Sequence, residues 1–121
     1  MATSYFRLSE FRCKCGRKEC DAVLMNTGFM LKVNSLRSLY GKPMYPNSGS
    51  RCHFWNEHEG GSPKSQHVLG MAADFKEFDK KKQAKISELA EKLGFGGIGL
   101  YDWGVHVDDG PRGRRWDFRS K

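Results

Sequence analysis

The sequence predicts an α+β domain, on three observations. Two segments carry apolar residues at helical spacing, several short segments read as strands, and the two kinds are interspersed along a chain of 121 residues, the length of one domain. Apolar residues make up 38% and charged residues 29%, a globular composition with a modest core. The whole chain, 1–121, is expected to form one domain, with residues 1–20 as an N-terminal arm holding three of the four cysteines.

The first helix is expected over roughly 26–40. Met25, Phe29, Val33, Leu36 and Tyr40 recur at steps of three and four, and Gly41 with Pro43 ends the run. Residues 43–66 hold the Pro, Gly, Ser and Asn of a long loop region around one short extended piece. Met71 to Phe75 reads as a strand. Asp79 is suited to cap a second helix whose inner face is Ile86, Leu89, Ala90 and Leu93, with Gly94 closing it. Strands follow over about 97–101 and 104–108, and a last one near Trp116 to Phe118. An antiparallel sheet with flanking helices is the architecture these elements suggest.

The net charge of +7 favours an anionic partner, whether nucleic acid, anionic lipid or an acidic polymer such as a bacterial wall. Lys80 to Lys82 and the run Arg112, Arg114 and Arg115 can equally be a solvated helix face and a solvated tail. No basic-aromatic motif or recognition helix supports specific nucleic-acid binding. No stretch is long and apolar enough to span a membrane. The N-terminus lacks a basic start followed by an apolar run, so no signal peptide is read, and synthesis and retention in a cytoplasm are expected. A monomer is expected.

Two histidines sit in chemically informative settings: Ser65-Gln66-His67-Val68-Leu69-Gly70-Met71-Ala72-Ala73-Asp74, and Gly104-Val105-His106-Val107-Asp108. Hydrolytic zinc takes three protein ligands from imidazole and carboxylate groups and keeps one position open. His67, Asp74 and His106 supply such a set. His106 faces opposite to Val105 and Val107 on its strand, so its ring needs a polar partner. Spacing alone does not demand a metal, because a strand histidine is commonly a hydrogen-bonded core residue.

The string S-x-H-x-x-G-x-A-x-D, followed by G-I-G-x-Y and V-H-V-D, resembles the M15 family of zinc peptidases, which includes D-Ala-D-Ala carboxypeptidases, D-Ala-D-Ala dipeptidases and phage L-Ala-D-Glu endopeptidases. The resemblance extends back through Ser48-Gly49-Ser50-Arg51-Cys52, Asn56 and Gly60-Gly61, and forward to Trp116. It implies a hedgehog/D-Ala-D-Ala peptidase-like fold and one catalytic zinc ion held by His67, Asp74 and His106. Arg51 is implied to bind substrate and stabilise the transition state, and Ser65 with the adjoining Gln66 to contact substrate. The implied reaction is amide hydrolysis in the stem peptide of peptidoglycan, by an endolysin or wall-remodelling enzyme that reaches the wall by a route other than a signal peptide. A zinc-containing module that binds wall peptide without cutting it is the alternative.

The chemistry needs a carboxylate to accept a proton and pass it to the leaving amine. Several members carry an acid three positions before the last zinc histidine, where this chain has Trp103. Asp102 is the favoured base, with Asp108 orienting His106. The reverse assignment stays open, and Glu57 and Glu59 are remoter candidates. His53 and His58 read as exposed loop residues or as lining of the cleft. Trp55, Tyr101 and Trp103 could flank the groove. Cys13, Cys15, Cys20 and Cys52 could be free thiols, a disulfide from the arm to Cys52, or a structural zinc site.

Overall fold

The computed structural model describes residues 5–62 and 64–120. Its elements run, after a 3-10 turn at Leu8–Phe11, as α1 (Thr27–Tyr40), β1 (Tyr45–Ser48), α2 (His53–His58), β2 (Ala72–Lys76), α3 (Lys80–Leu93), β3 (Gly97–Tyr101), β4 (Gly104–Asp108) and β5 (Arg114–Asp117). Both long helices are capped by their own sequence. Asn26 accepts from the Phe29 N–H, and Asp79 accepts from the Lys81 and Lys82 N–H groups. Gly41 and Gly94 end them in the left-handed region, at φ 75° and 80°.

The five strands form one sheet in the order β1-β2-β4-β3-β5. The first three pairings are antiparallel, but β5 runs parallel to β3, so the sheet is mixed where an all-antiparallel one was expected. The reason is the connection. Gly97 pairs with Asp108 on one side and with Arg114 on the other, so the short turn after β4 steps over the start of β3 and the chain continues in the direction of β3.

The period-two alternation of the strands sorts their side chains. Ala73 and Phe75 of β2, Ile98 of β3, and Val105 and Val107 of β4 join the core with Phe29, Val33 and Leu36 of α1 and Ile86 and Ala90 of α3. Phe11 of the 3-10 turn and Phe95 complete it, with edge-on ring contacts between Phe11 and Phe75 and between Phe29 and Phe95. The opposite face of β2 and β4 carries Asp74, His106 and Asp108. Among the described residues no helix is long and apolar enough to cross a membrane.

Candidate metal centre

Asp74 on β2 and His106 on β4 are directly paired across the sheet, so both side chains rise from the face away from the core. His67 arrives from the turn before β2. The Ser65 hydroxyl accepts from the His67 N–H at 3.2 Å, and Gly70, at φ 69°, turns the chain back into the strand. One ligand atom from each of His67, Asp74 and His106 lies within 4.8 Å of the others. Asp74 Oδ2 is 3.2 Å from His67 Nε2, and Asp74 Oδ1 is 2.8 Å from His106 Nδ1. All three residues are buried.

The outer nitrogens of both rings are committed. His67 Nδ1 donates to the Gly49 carbonyl at 2.7 Å, which leaves Nε2, the atom facing Asp74, as the one that could bind a metal. His106 Nε2 sits 2.7 Å from Asp108 Oδ2, which leaves Nδ1 facing Asp74. Two inward imidazole nitrogens and a carboxylate, each ring braced from behind by an oxygen, fit a zinc centre with one open position. Burial works against a charge on His106, but hydrogen bonds to Asp108 and Asp74 outweigh it and raise its pKa to about 9. Burial alone would raise Asp74, yet hydrogen bonds from His106 and His67 hold it well below the usual carboxylate range. The carboxylates thus draw a proton onto His106, which a metal ion would have to displace.

Asp108 is almost wholly buried and fully engaged. Its Oδ1 accepts from the Gly110 N–H at 2.9 Å and from the Arg114 guanidinium, while Oδ2 serves His106. Burial opposes its ionisation, but the bonds from His106, Arg114 and Gly110 lower its pKa to about 2. The lack of a side chain at Gly97 makes room for this carboxylate, which a Cβ there would strike. Gly99, opposite His106 across the strands, likewise leaves room for the Trp116 indole, whose centroid lies 5.1 Å from that of the His106 ring.

Arg51 approaches from the loop between β1 and α2. Nη2 is 3.4 Å from Asp74 Oδ2, Nη1 is 3.3 Å from Asn56 Oδ1, and Nε is 3.3 Å from the Ser48 hydroxyl. Asn56 is itself held by the Ser62 carbonyl, and a Cβ at Gly61 would collide with its amide, which is why Asn56 and the glycine pair accompany the arginine. The centre opens into a cleft of about 580 Å³. Arg51, Ser65, Gln66, Tyr101, Trp103, Trp116, Phe118, Lys64, Arg114 and Glu59 help to line it.

The structure brings Arg51, Ser65, Gln66, His67, Asp74, His106 and Asp108 to this one place. It does not bring Asp102, and the base expected there is corrected. Asp102 lies in the exposed turn between β3 and β4, with its carboxylate bound to the Ser120 N–H and hydroxyl at 2.9 and 2.8 Å. Those bonds lower its pKa, with Lys80 and Arg119 contributing, and it faces the C-terminal segment, not the cleft. The alternation that carries His106 and Asp108 to the open face ends at this turn.

Tyr101 and Trp103 stack at 4.9 Å on the cleft wall, as expected of flanking aromatics. Trp55 is instead stacked on His58, and His53 pairs with Asp21, all away from the cleft lining. Glu57 does not line the cleft, whereas Glu59 does. Arg114, Trp116 and Asn56 are site residues to which the sequence reading assigned no part. Arg114 stood inside a cationic run, and only the turn stepping over β3 places it against Asp108. A family model described as Peptidase M15 matches residues 4–108 of the chain. No curated protein matches it.

Proposed function

The chain belongs to the Peptidase M15 family, a family of metallopeptidases, and from that membership we propose that it is a zinc peptidase hydrolysing amide bonds in the peptidoglycan stem peptide. The observation that carries this reading is the convergence of His67, Asp74 and His106 beside Arg51 at the base of an open cleft. When bound, zinc supplies a Lewis acid for the scissile carbonyl and lowers the pKa of water. The protein's own groups do the rest. Asp108 and the Gly49 carbonyl hold the two imidazoles in the orientation that ligation needs. Arg51, anchored on three sides, keeps a positive edge beside Asp74 where negative charge develops on the substrate oxygen.

Among the described residues, the carboxylates lining the cleft are Glu59, Asp74 and Asp108. Asp74 belongs to the metal group and Asp108 is occupied by three donors, so Glu59 is the candidate to carry the proton to the leaving amine. The stem peptide suits the walls. Lys64 offers charge to its carboxylates, and Tyr101, Trp103, Trp116 and Phe118 offer surface to its alanine methyls. A carboxypeptidase needs a cation free to grip a terminal carboxylate bidentately. The guanidinium of Arg51 already spans Ser48, Asn56 and Asp74, which favours an endopeptidase. The protein would act as a monomer on the bacterial wall.

The engagement of Asp108 and the remoteness of Asp102 also favour a second reading, a zinc-holding module that binds wall peptide without cutting it. Incubating the zinc-loaded protein with purified peptidoglycan and weighing the released peptides by mass spectrometry separates the readings. Internal stem-peptide fragments support the endopeptidase, free D-alanine a carboxypeptidase, and retention on the wall with no release the binding module.

A further inference from the structure

Between Phe11 and Thr27 the chain forms no helix or strand, and most of its side chains are exposed. Hydrophobic burial therefore does little to hold this arm. The cysteines converge there instead. We propose that Cys13, Cys15, Cys20 and Cys52 bind a structural zinc ion, separate from the histidine centre, which ties the arm to the loop carrying Arg51.

The Sγ atoms of the four residues all lie within 4.8 Å of one another, and all four are free cysteines. Tetrahedral zinc with Zn–S bonds of about 2.3 Å holds its sulfurs roughly 3.8 Å apart, the scale of this cluster. Backbone N–H groups are directed at three of the sulfurs. Gly16 takes φ 68°, and in the turn it makes the Arg17 N–H donates to Cys15 Sγ at 3.4 Å. The Cys52 N–H donates to Cys13 Sγ at 3.3 Å, and the Trp55 N–H donates to Cys52 Sγ at 3.4 Å.

Charge points the same way. Four thiolates around a divalent ion carry a net double negative charge, and the segment supplies Arg12, Lys14, Arg17 and Lys18. The two acids of the arm are turned elsewhere, Glu19 towards Arg17 and Asp21 towards His53. Four protein sulfurs leave no position for substrate, so the site is structural. Its consequence reaches the cleft. Cys52 follows Arg51 directly and caps α2, so an ion on Cys52 fixes the loop from which the guanidinium reaches Asp74.

The test is metal stoichiometry in protein purified under reducing conditions, by native mass spectrometry and elemental analysis. Wild type should hold two zinc ions per chain. A His67→Ala/Asp74→Ala variant should keep one, and its cobalt form should show thiolate-to-cobalt charge-transfer absorption. Its thiols should stay unreactive to Ellman's reagent until the metal is chelated. Cys20→Ser removes an exposed sulfur outside the core and should also hold one ion, lost on adding the His67 and Asp74 changes. The inference is overturned if the His67→Ala/Asp74→Ala protein holds no metal and its thiols react at once. It is overturned equally by disulfide masses or by iron in place of zinc. None of these readouts depends on whether the histidine centre cuts peptide.

Discussion

Replacing Asp108 by Asn tests whether this buried carboxylate orients His106 or carries protons. Asp108 is 1% exposed and accepts from three donors, His106 Nε2 at 2.7 Å, the Gly110 N–H at 2.9 Å and the Arg114 guanidinium. Asn offers one acceptor oxygen and one donor amide. Whichever way it turns, the amide faces a donor. If it faces His106, the ring can relieve the conflict only by moving its proton to Nδ1, the atom that faces Asp74 and would bind metal. Loss of such a brace behind a ligand imidazole typically costs 10–100-fold in affinity, about 1.4–2.7 kcal/mol. In the metal-free protein one buried donor without a partner costs about 1–3 kcal/mol. For a domain of this size that is about 4–12 °C in melting temperature. Chelator competition, counting only the ion that His67→Ala removes, gives the first quantity, and thermal melts in EDTA give the second. If Asp108→Asn binds that zinc within twofold of wild type yet loses all turnover, Asp108 carries protons and the orienting role is wrong.

Four further outcomes follow from the geometry. Glu59→Gln should abolish most peptide release with zinc content unchanged, whereas Asp102→Ala should stay within about twofold of wild type, since its loss frees only Ser120; equal losses in both would remove Glu59 from its role. In metal-free protein the raised pKa of His106, about 9 against about 6.5 unfolded, adds stability that is complete below pH about 6.5 and fades as pH rises through about 9. The lowered Asp74 and Asp108 add stability present above pH about 4 and lost as pH falls towards about 2, so metal-free melts should peak between these limits. Binding at the histidine centre must displace the His106 proton, so affinity there should rise up to about tenfold per pH unit until about 9, with proton uptake by buffer visible in calorimetry. Gly99→Val should push Trp116 off His106, cost about 1–3 kcal/mol and shift the tryptophan fluorescence to the red; an unchanged spectrum would show that the indole does not depend on the missing side chain.

The parts of the fold legible in the sequence were those whose cause is local. Asp79 and Gly94 bracket α3 because a carboxylate caps orphan N–H groups and a glycine takes positive φ, and both facts belong to the residues themselves. The convergence of His67, Asp74 and His106 as a candidate metal group was legible because these residues stand in two short strings. The short helix α2 has no apolar period to reveal it, and its cap is a cysteine sulfur. The part played by Arg114 rests on the parallel edge strand, which depends on how a turn crosses the end of β3. Asp102 and Asp108 look equivalent as acids flanking His106, and only the end of β3 and the start of β4 separate a turn residue from one on the ligand face.

Core and site specify the same register, and each would fail without the other. The pairing that sets Asp74 opposite His106 also sets Ala73 opposite Val107 and Phe75 opposite Val105. A slip of one residue between β2 and β4 would turn the valines into the cleft and bury the imidazole among phenylalanines. On the far side of β4 the pattern continues, with Gly97 opposite Asp108 and Gly99 opposite His106, and the missing side chains make room for the Asp108 carboxylate and for the Trp116 indole. Burial of the apolar alternates drives the sheet together, and that same event delivers a charged, hydrogen-bonded group to the opposite face. The pair Asp74 and His106 therefore needs no separate folding step between the strands. Only His67 and Arg51 come from loops, and each is anchored by the chain beside it: His67 by Gly49 and Ser65, Arg51 by Asn56 and Ser48. Removing Ser48 or Asn56 should therefore loosen the guanidinium while leaving Asp74 and His106 paired.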